Sequence, residues 1–416
     1  MAELQPSKHW RFQGNEAQYL QEALDRGFTA GSDGTFRDRF EKAFRERYGV
    51  QYALTSNSGT SPLHQALMAF GVGPGDEVII PPLGPVMPAY VVIQCGAKPV
   101  FADIDLETFL IDPKDVERKI TPRTKAIIPI HLYGGVCDMP EIMRIAKEHN
   151  LFVLEDCAQC ILGKDQEGRY AGSIGDAGSF SFDNVKHIST GEGGILLSND
   201  EGITLRARRF GGVGFKGVSA ESSNVRKLRD DFQDPSYERH NTFGYNYRMS
   251  EPLAAVGLGQ FERIDTIIGN RILMADRFTQ ILSETGCDWI LPQKNLEGST
   301  NSYWIYAARY DGEKKHGTSW KDFRKKFMEF GGDGIYSAWQ LMYKEPSMRM
   351  ISASGKAFEE HEPQLPWCVG LLDNVSCPVA EELQPIMLQF TTNQQTEDER
   401  ETQARALKKT IEFYGA

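Results

Sequence analysis

Apolar residues in this 416-residue chain gather into short runs separated by stretches of helical period. Runs begin at Tyr52, Glu77, Pro99, Lys125 and Phe152, and two more occupy 177–182 and 195–198. Helical patterns lie between them, one after the Ser58–Pro62 turn and another over 139–149. Strands alternating with helices predict a mostly parallel sheet covered on both faces. Ahead of these, Phe36, Phe40, Phe44 and Tyr48 recur at every fourth place on a helix that starts near Asp33 or Thr35. That aromatic stripe reads as core packing. One long helix is expected from Glu251 to about Leu282, linking two domains. Past Arg271 strand-like runs grow sparse, and helices at 320–330 and 397–414 predict a smaller α+β domain. The expected division is 1–260, with an N-terminal arm, and 261–416; there is no internal repeat. The aromatic stretch holding Trp339 and Tyr343 is assigned either to the substrate side or to core packing.

The stretch 152–194 carries the chemistry. Phe152-Val-Leu-Glu155-Asp156 reads as a buried parallel strand that delivers a carboxylate to its C-terminal edge, where open α/β sheets place ligands. A second strand brings Ser181 and then Lys186, before the glycine turn of residues 191–194. A lysine can form a Schiff base with an aldehyde cofactor, and pyridoxal phosphate needs an acid to keep its ring nitrogen protonated. Taken singly, each residue has a plainer reading, since a lysine after a strand is usually solvated and an Asp at a strand end is often a cap. The upstream turn Ser58-Gly59-Thr60-Ser61-Pro62 opens a helix and leaves backbone N–H groups free, a ready anion site. Its plainer reading is a Ser/Thr helix cap.

Composition narrows the function classes. A net charge of −11 argues against a general nucleic-acid or membrane-surface role, though a local basic pocket for an anionic substrate remains compatible with it. The first residues contain no apolar secretory core, and no segment reaches the roughly 18 to 20 apolar residues of a membrane span. Seven cysteines, an odd number, suit a reduced cytoplasmic protein. Cys157-Ala-Gln-Cys160 lacks a second ligand pair and reads as two buried thiols, with no metal site. Residues 212–217 spell GxGxxG but follow an arginine-rich helical pattern where a dinucleotide site needs a strand. The charged stretch 218–241 is long enough to be a lid or an inter-subunit arm.

The segment FSFDNVKHISTGEGG, holding Lys186, resembles the lysine signature of the DegT/DnrJ/EryC1/StrS sugar aminotransferases, a branch of the fold-type-I pyridoxal phosphate enzymes. Gly244-Tyr245-Asn246-Tyr247-Arg248-Met249 resembles a second block of that family. The resemblance spans most of the chain and is weakest after Lys314. It implies the fold-type-I architecture and a transaminase acting on a keto sugar, nucleotide-linked, or a related keto-polyol, with glutamate or glutamine as amino donor. It further implies that Lys186 holds pyridoxal 5'-phosphate and shuttles protons, and that Asp156 partners its ring nitrogen. Gly59, Thr60 and Ser181 then bind its phosphate, and Gln159 lies beside it. Asn246 would cross a homodimer interface to the partner's cofactor phosphate. One departure stands out: Pro85 takes the place where relatives carry an aromatic residue against the ring, so that the proline itself, which can lie flat on a ring, or Met87 or Tyr90 would cover it. Two other readings compete. A sugar 3-dehydratase has histidine in place of the lysine, and His187 directly follows Lys186. A non-catalytic regulator on the same scaffold would be expected to carry a DNA-binding module, and none precedes Gly34.

Overall fold

The computed structural model describes residues 9–222 and 233–415. Residues 1–8 of the expected arm and 223–232 of the expected lid or inter-subunit arm lie outside the described residues. A seven-stranded sheet is built from β1 (Tyr52–Ser56), β2 (Glu77–Ile80), β3 (Lys98–Phe101), β4 (Thr124–Ile127), β5 (Phe152–Asp156), β6 (Ala177–Ser181) and β7 (Gly194–Ser198). Its order is β1-β7-β6-β5-β4-β2-β3. All pairings are parallel except those of β7, which runs against both β1 and β6. Every residue of β2, β6 and β7 is buried, as befits strands covered on both faces, and this explains why none of them alternates between apolar and charged positions. A smaller antiparallel sheet follows, ordered β10-β11-β9-β8, from β8 (Ile290–Pro292), β9 (Ile305–Tyr310), β10 (Ile335–Ser337) and β11 (Met387–Thr391). This is the expected fold class, a mostly parallel sheet with a smaller α+β part.

The helix Phe36–Tyr48 starts at Thr35, whose hydroxyl accepts the Asp38 N–H while the Asp38 carboxylate takes the Thr35 N–H. Such a reciprocal cap is worth on the order of 1 kcal/mol. Its aromatic stripe is core: Phe40 and Phe44 are fully buried, and Phe44 stacks on Phe261 at 4.1 Å. Beside the stripe the helix carries the buried Glu41, which accepts from the Thr55 N–H and pairs with the buried Arg208 at 3.0 Å.

The long linking helix is two helices, Glu251–Phe261 and Ile264–Thr285. The break falls at Glu262 and Arg263, whose side chains are drawn away to the start of the chain. Glu262 accepts from the Tyr19 hydroxyl and the Asn15 amide, each at 2.6 Å. Arg263 donates to the Arg11 carbonyl at 2.7 Å and to Glu16 at 3.0 Å. Arg11 lies in the short turn Trp10–Phe12, and Asn15 precedes the first turn of a helix, Glu16–Asp25, that holds Glu16 and Tyr19 and that the apolar pattern did not predict. Its sequence buries only Glu16 and Ala23 and packs along Glu251–Phe261. Among the described residues no helix is long and apolar enough to cross a membrane. The GxGxxG motif follows the helix Glu201–Gly211 and has no strand before it, so it forms no dinucleotide fingerprint.

Candidate active site

The C-terminal edges of β5 and β6 bring the predicted residues together. β5 ends on two acids that face different tasks. Glu155 is fully buried and accepts four donors: the N–H groups of Gly172 (2.8 Å), Ile174 (2.7 Å) and Gly175 (2.7 Å), and His131 Nε2 (3.0 Å). His131 Nδ1 accepts the Cys137 N–H at 3.1 Å, which leaves the Nε2 proton for Glu155. Glu155 is therefore a structural hub that ties the β5 edge to the 172–175 loop.

Asp156 is buried as well but, among the described residues, accepts only the Ala158 N–H, at 3.0 Å. Burial raises its carboxyl above the usual range, an effect opposed by the Ala158 N–H and by the charge of Lys186. In turn, burial lowers the Lys186 ammonium, opposed by Asp156 and Asp183. The two groups thus act on one another electrostatically. The Lys186 Nζ rests 4.7 Å from the ring centroid of Trp304. Trp304 is held in place: its Nε1 donates to the Val185 carbonyl at 2.7 Å, and its ring lies parallel to that of Tyr133 and stacks with Trp339. His187 faces elsewhere. It is fully buried, with Nε2 at 3.0 Å from the Ser302 carbonyl, and burial holds its ring well below the usual range. The lysine, and not the histidine, is the residue coupled to Asp156.

The small-residue turn meets the same edge. A Cβ at Gly59 would lie 2.4 Å from that of Ser181, and one at Gly194 only 2.3 Å from the Ser58 carbonyl oxygen. Glycine at these positions lets the turn, β6 and β7 close on one another. The Gly59 and Thr60 N–H groups take no partner within the protein among the described residues, at the mouth of the helix Thr60–Ala69. With the Ser181 hydroxyl they form a donor set that can hold a phosphate. Gln159 is buried, with Oε1 accepting the Tyr133 N–H at 2.9 Å and its Nε2 left without a partner. An orphaned buried amide points to a group that completes it. The residues thus fit a phosphate-bearing aldehyde cofactor: donors for the phosphate, a buried acid, a lysine and a spare amide.

Asn246 is exposed, and its Oδ1 accepts from Arg248 Nε at 3.0 Å. Its block docks on the first part of the same chain's turn, where the Asn57 N–H donates to the Tyr247 carbonyl at 2.7 Å. Of the candidates for the ring face, Pro85 is half-buried, Met87 is exposed, and the Tyr90 hydroxyl is bound to Ser347. Trp339 lines a cleft of 390 Å³ beside Lys186, whereas Tyr343 is core, donating to Glu381 at 2.7 Å. Arg11 and Arg271 line the same cleft; sequence reasoning missed them because one precedes the first strand and the other looks like an ordinary polar residue on a helix. All seven cysteines are free, and burial raises both Cys157 and Cys160.

The profile of the DegT/DnrJ/EryC1/StrS aminotransferase family matches residues 11–357. GDP-perosamine synthase of Caulobacter vibrioides is 40% identical over 302 residues, covering 72% of this chain and 75% of that protein. A putative L-glutamine:3-amino-2,3-dideoxy-scyllo-inosose aminotransferase of Streptoalloteichus tenebrarius is 34% identical over 308 residues, 73% of this chain and 70% of that one. The X-ray structure of an aminotransferase from Psychrobacter cryohalolentis superposes with a TM-score of 0.83 at 27% identity, covering 99% of this chain and 100% of that chain. The chain belongs to the DegT/DnrJ/EryC1/StrS aminotransferase family and is a pyridoxal phosphate-dependent aminotransferase.

Proposed function

We propose that the enzyme transfers an amino group from glutamate or glutamine to a keto sugar carried on a nucleotide, working as a cytoplasmic homodimer. The observation that carries this reading is the convergence of Lys186, Asp156 and the Gly59–Ser181 contact at one sheet edge. The kinship with a GDP-perosamine synthase supports the sugar, and the glutamine-dependent inosose relative supports the donor and keeps a keto-polyol as the alternative acceptor.

Pyridoxal phosphate, when bound, supplies the electron sink for amino-group transfer. Asp156 would hold the ring-nitrogen proton, because a buried carboxylate is a strong partner for a developing cation. The Gly59 and Thr60 N–H groups and the Ser181 hydroxyl would hold the phosphate, and the unpartnered Gln159 Nε2 would donate to an oxygen of the cofactor. Lys186 would hold the cofactor through its amine and, when free, would serve as the general base at the donor α-carbon. Burial suits it to that work, since a lysine lowered from its usual pKa is a better base near neutral pH.

The test is spectral. The holoenzyme should lose its visible absorption band on adding glutamate or glutamine, and regain it when a keto sugar from a panel of free and nucleotide-linked acceptors is added. A band that no amino donor bleaches would overturn the reading.

A further inference from the structure

Two arginines that the transamination chemistry above does not use sit beside Lys186. Arg11 and Arg271 are both buried, at 9% and 4% exposure, and both line the 390 Å³ cleft whose wall includes Trp304 and Trp339. That volume lies within the range of about 300–1,000 Å³ typical of small-molecule sites. Neither guanidinium has a carboxylate within 4.0 Å among the described residues. Arg11 Nη1 donates to the Lys186 carbonyl at 2.7 Å. Arg271 Nη1 donates to the Trp304 carbonyl at 2.9 Å and the Thr392 hydroxyl at 3.0 Å. Each guanidinium has five N–H donors, and these contacts engage one nitrogen of each. The positions are firmly set, for Arg263 grips the Arg11 carbonyl and Arg271 projects from the buried face of Ile264–Thr285.

A buried cation without a counter-ion is costly, and two that repel one another are costlier. Burial, and then Arg11, press the Arg271 guanidinium down to about 9. Asp183 helps Arg11 only from beyond ion-pair distance. An anion entering the cleft relieves both charges. Planar guanidinium forks match a carboxylate through paired N–H bonds, and the apolar tryptophan walls suit a short carbon chain.

We infer that Arg11 and Arg271 form a carboxylate site for the amino donor, placing a short amino dicarboxylate or its amide against Lys186. The site rests on the transaminase reading but can be tested apart from it. Glutarate, an unreactive five-carbon dicarboxylate, serves as the probe on the holoenzyme by calorimetry, with inorganic pyrophosphate as the probe for a nucleotide phosphate. Glutarate should bind the native enzyme, and Arg11→Gln should weaken it at least tenfold. The same variant should raise the KM for the donor by a similar factor and leave the KM for the keto sugar unchanged. Arg271→Lys, which keeps the charge and loses the fork, should also weaken glutarate. Equal glutarate affinity in native and Arg11→Gln enzyme overturns the site, as does a loss confined to pyrophosphate. If no acceptor is aminated and glutarate binding still depends on Arg11, the transaminase reading fails while the carboxylate site stands.

Discussion

A side chain at position 59 would bring its Cβ within 2.4 Å of the Ser181 Cβ and 2.5 Å of its Oγ. Two segments more than a hundred residues apart in the chain are therefore locked at one point, and the free N–H groups of the turn owe their position to that contact. Gly59→Ala should force the turn away from β6, weakening cofactor retention on dialysis by at least tenfold, a cost of roughly 1.4 kcal/mol. Adding Ser181→Gly should restore the fit of the turn yet recover only part of the affinity, since the hydroxyl is lost. Unchanged retention in Gly59→Ala would mean that the turn does not hold the phosphate.

His64 gives a pH prediction. Its Nδ1 meets the Tyr247 hydroxyl at 3.0 Å, joining the helix behind the turn to the Asn246 block, and burial holds its ring down at about 4. In the unfolded chain the ring titrates near 6.5. Between those values the unfolded state binds the extra proton, so stability is full above about 6.5 and falls as pH drops toward about 4. Denaturant midpoints of the native protein should decline across that window, and His64→Gln should flatten the decline. Parallel pH profiles for the two proteins would rule out His64 as a source.

Asn246 offers a test of composite sites. Its side chain is exposed on this chain and, among the described residues, held only by Arg248, and Tyr245 beside it is exposed as well. Aromatic residues of this kind are enriched at subunit contacts. If Asn246 serves the partner's cofactor phosphate, mixing inactive Asn246→Ala and Lys186→Ala enzymes should return activity. Each hybrid would hold one site with both lesions and one with neither, so up to about a quarter of native activity per protein should reappear at equal mixing by simple pairing statistics. Confirmed subunit exchange without recovered activity would confine Asn246 to its own chain.

The sequence made the sheet and the catalytic edge legible because both are local. Runs such as Ile195–Leu197 are continuous and apolar, and Asp156, Ser181 and Lys186 stand at the ends of such runs. What it hid was relational. The single helix expected past Glu251 breaks because Glu262 and Arg263 are pulled toward Asn15, Tyr19, Arg11 and Glu16, partners almost the whole length of a domain away in sequence. The helix Glu16–Asp25 buries too few apolar side chains to show a clear stripe. Trp304 reads as one more aromatic residue near a strand until the fold sets it under the Lys186 amine. Arg11 and Arg271 carry no local mark at all, since an arginine without a counter-ion is recognisable only once its surroundings are known.

The most direct measurement is chemical trapping of the cofactor. Borohydride reduction of the holoenzyme followed by peptide mapping should place the label on Lys186 alone, in the peptide that also holds His187. Native protein treated first with glutamate should resist labelling, because the donor releases the lysine. Label on any other lysine, or none in a protein that still aminates a keto sugar, would contradict the account.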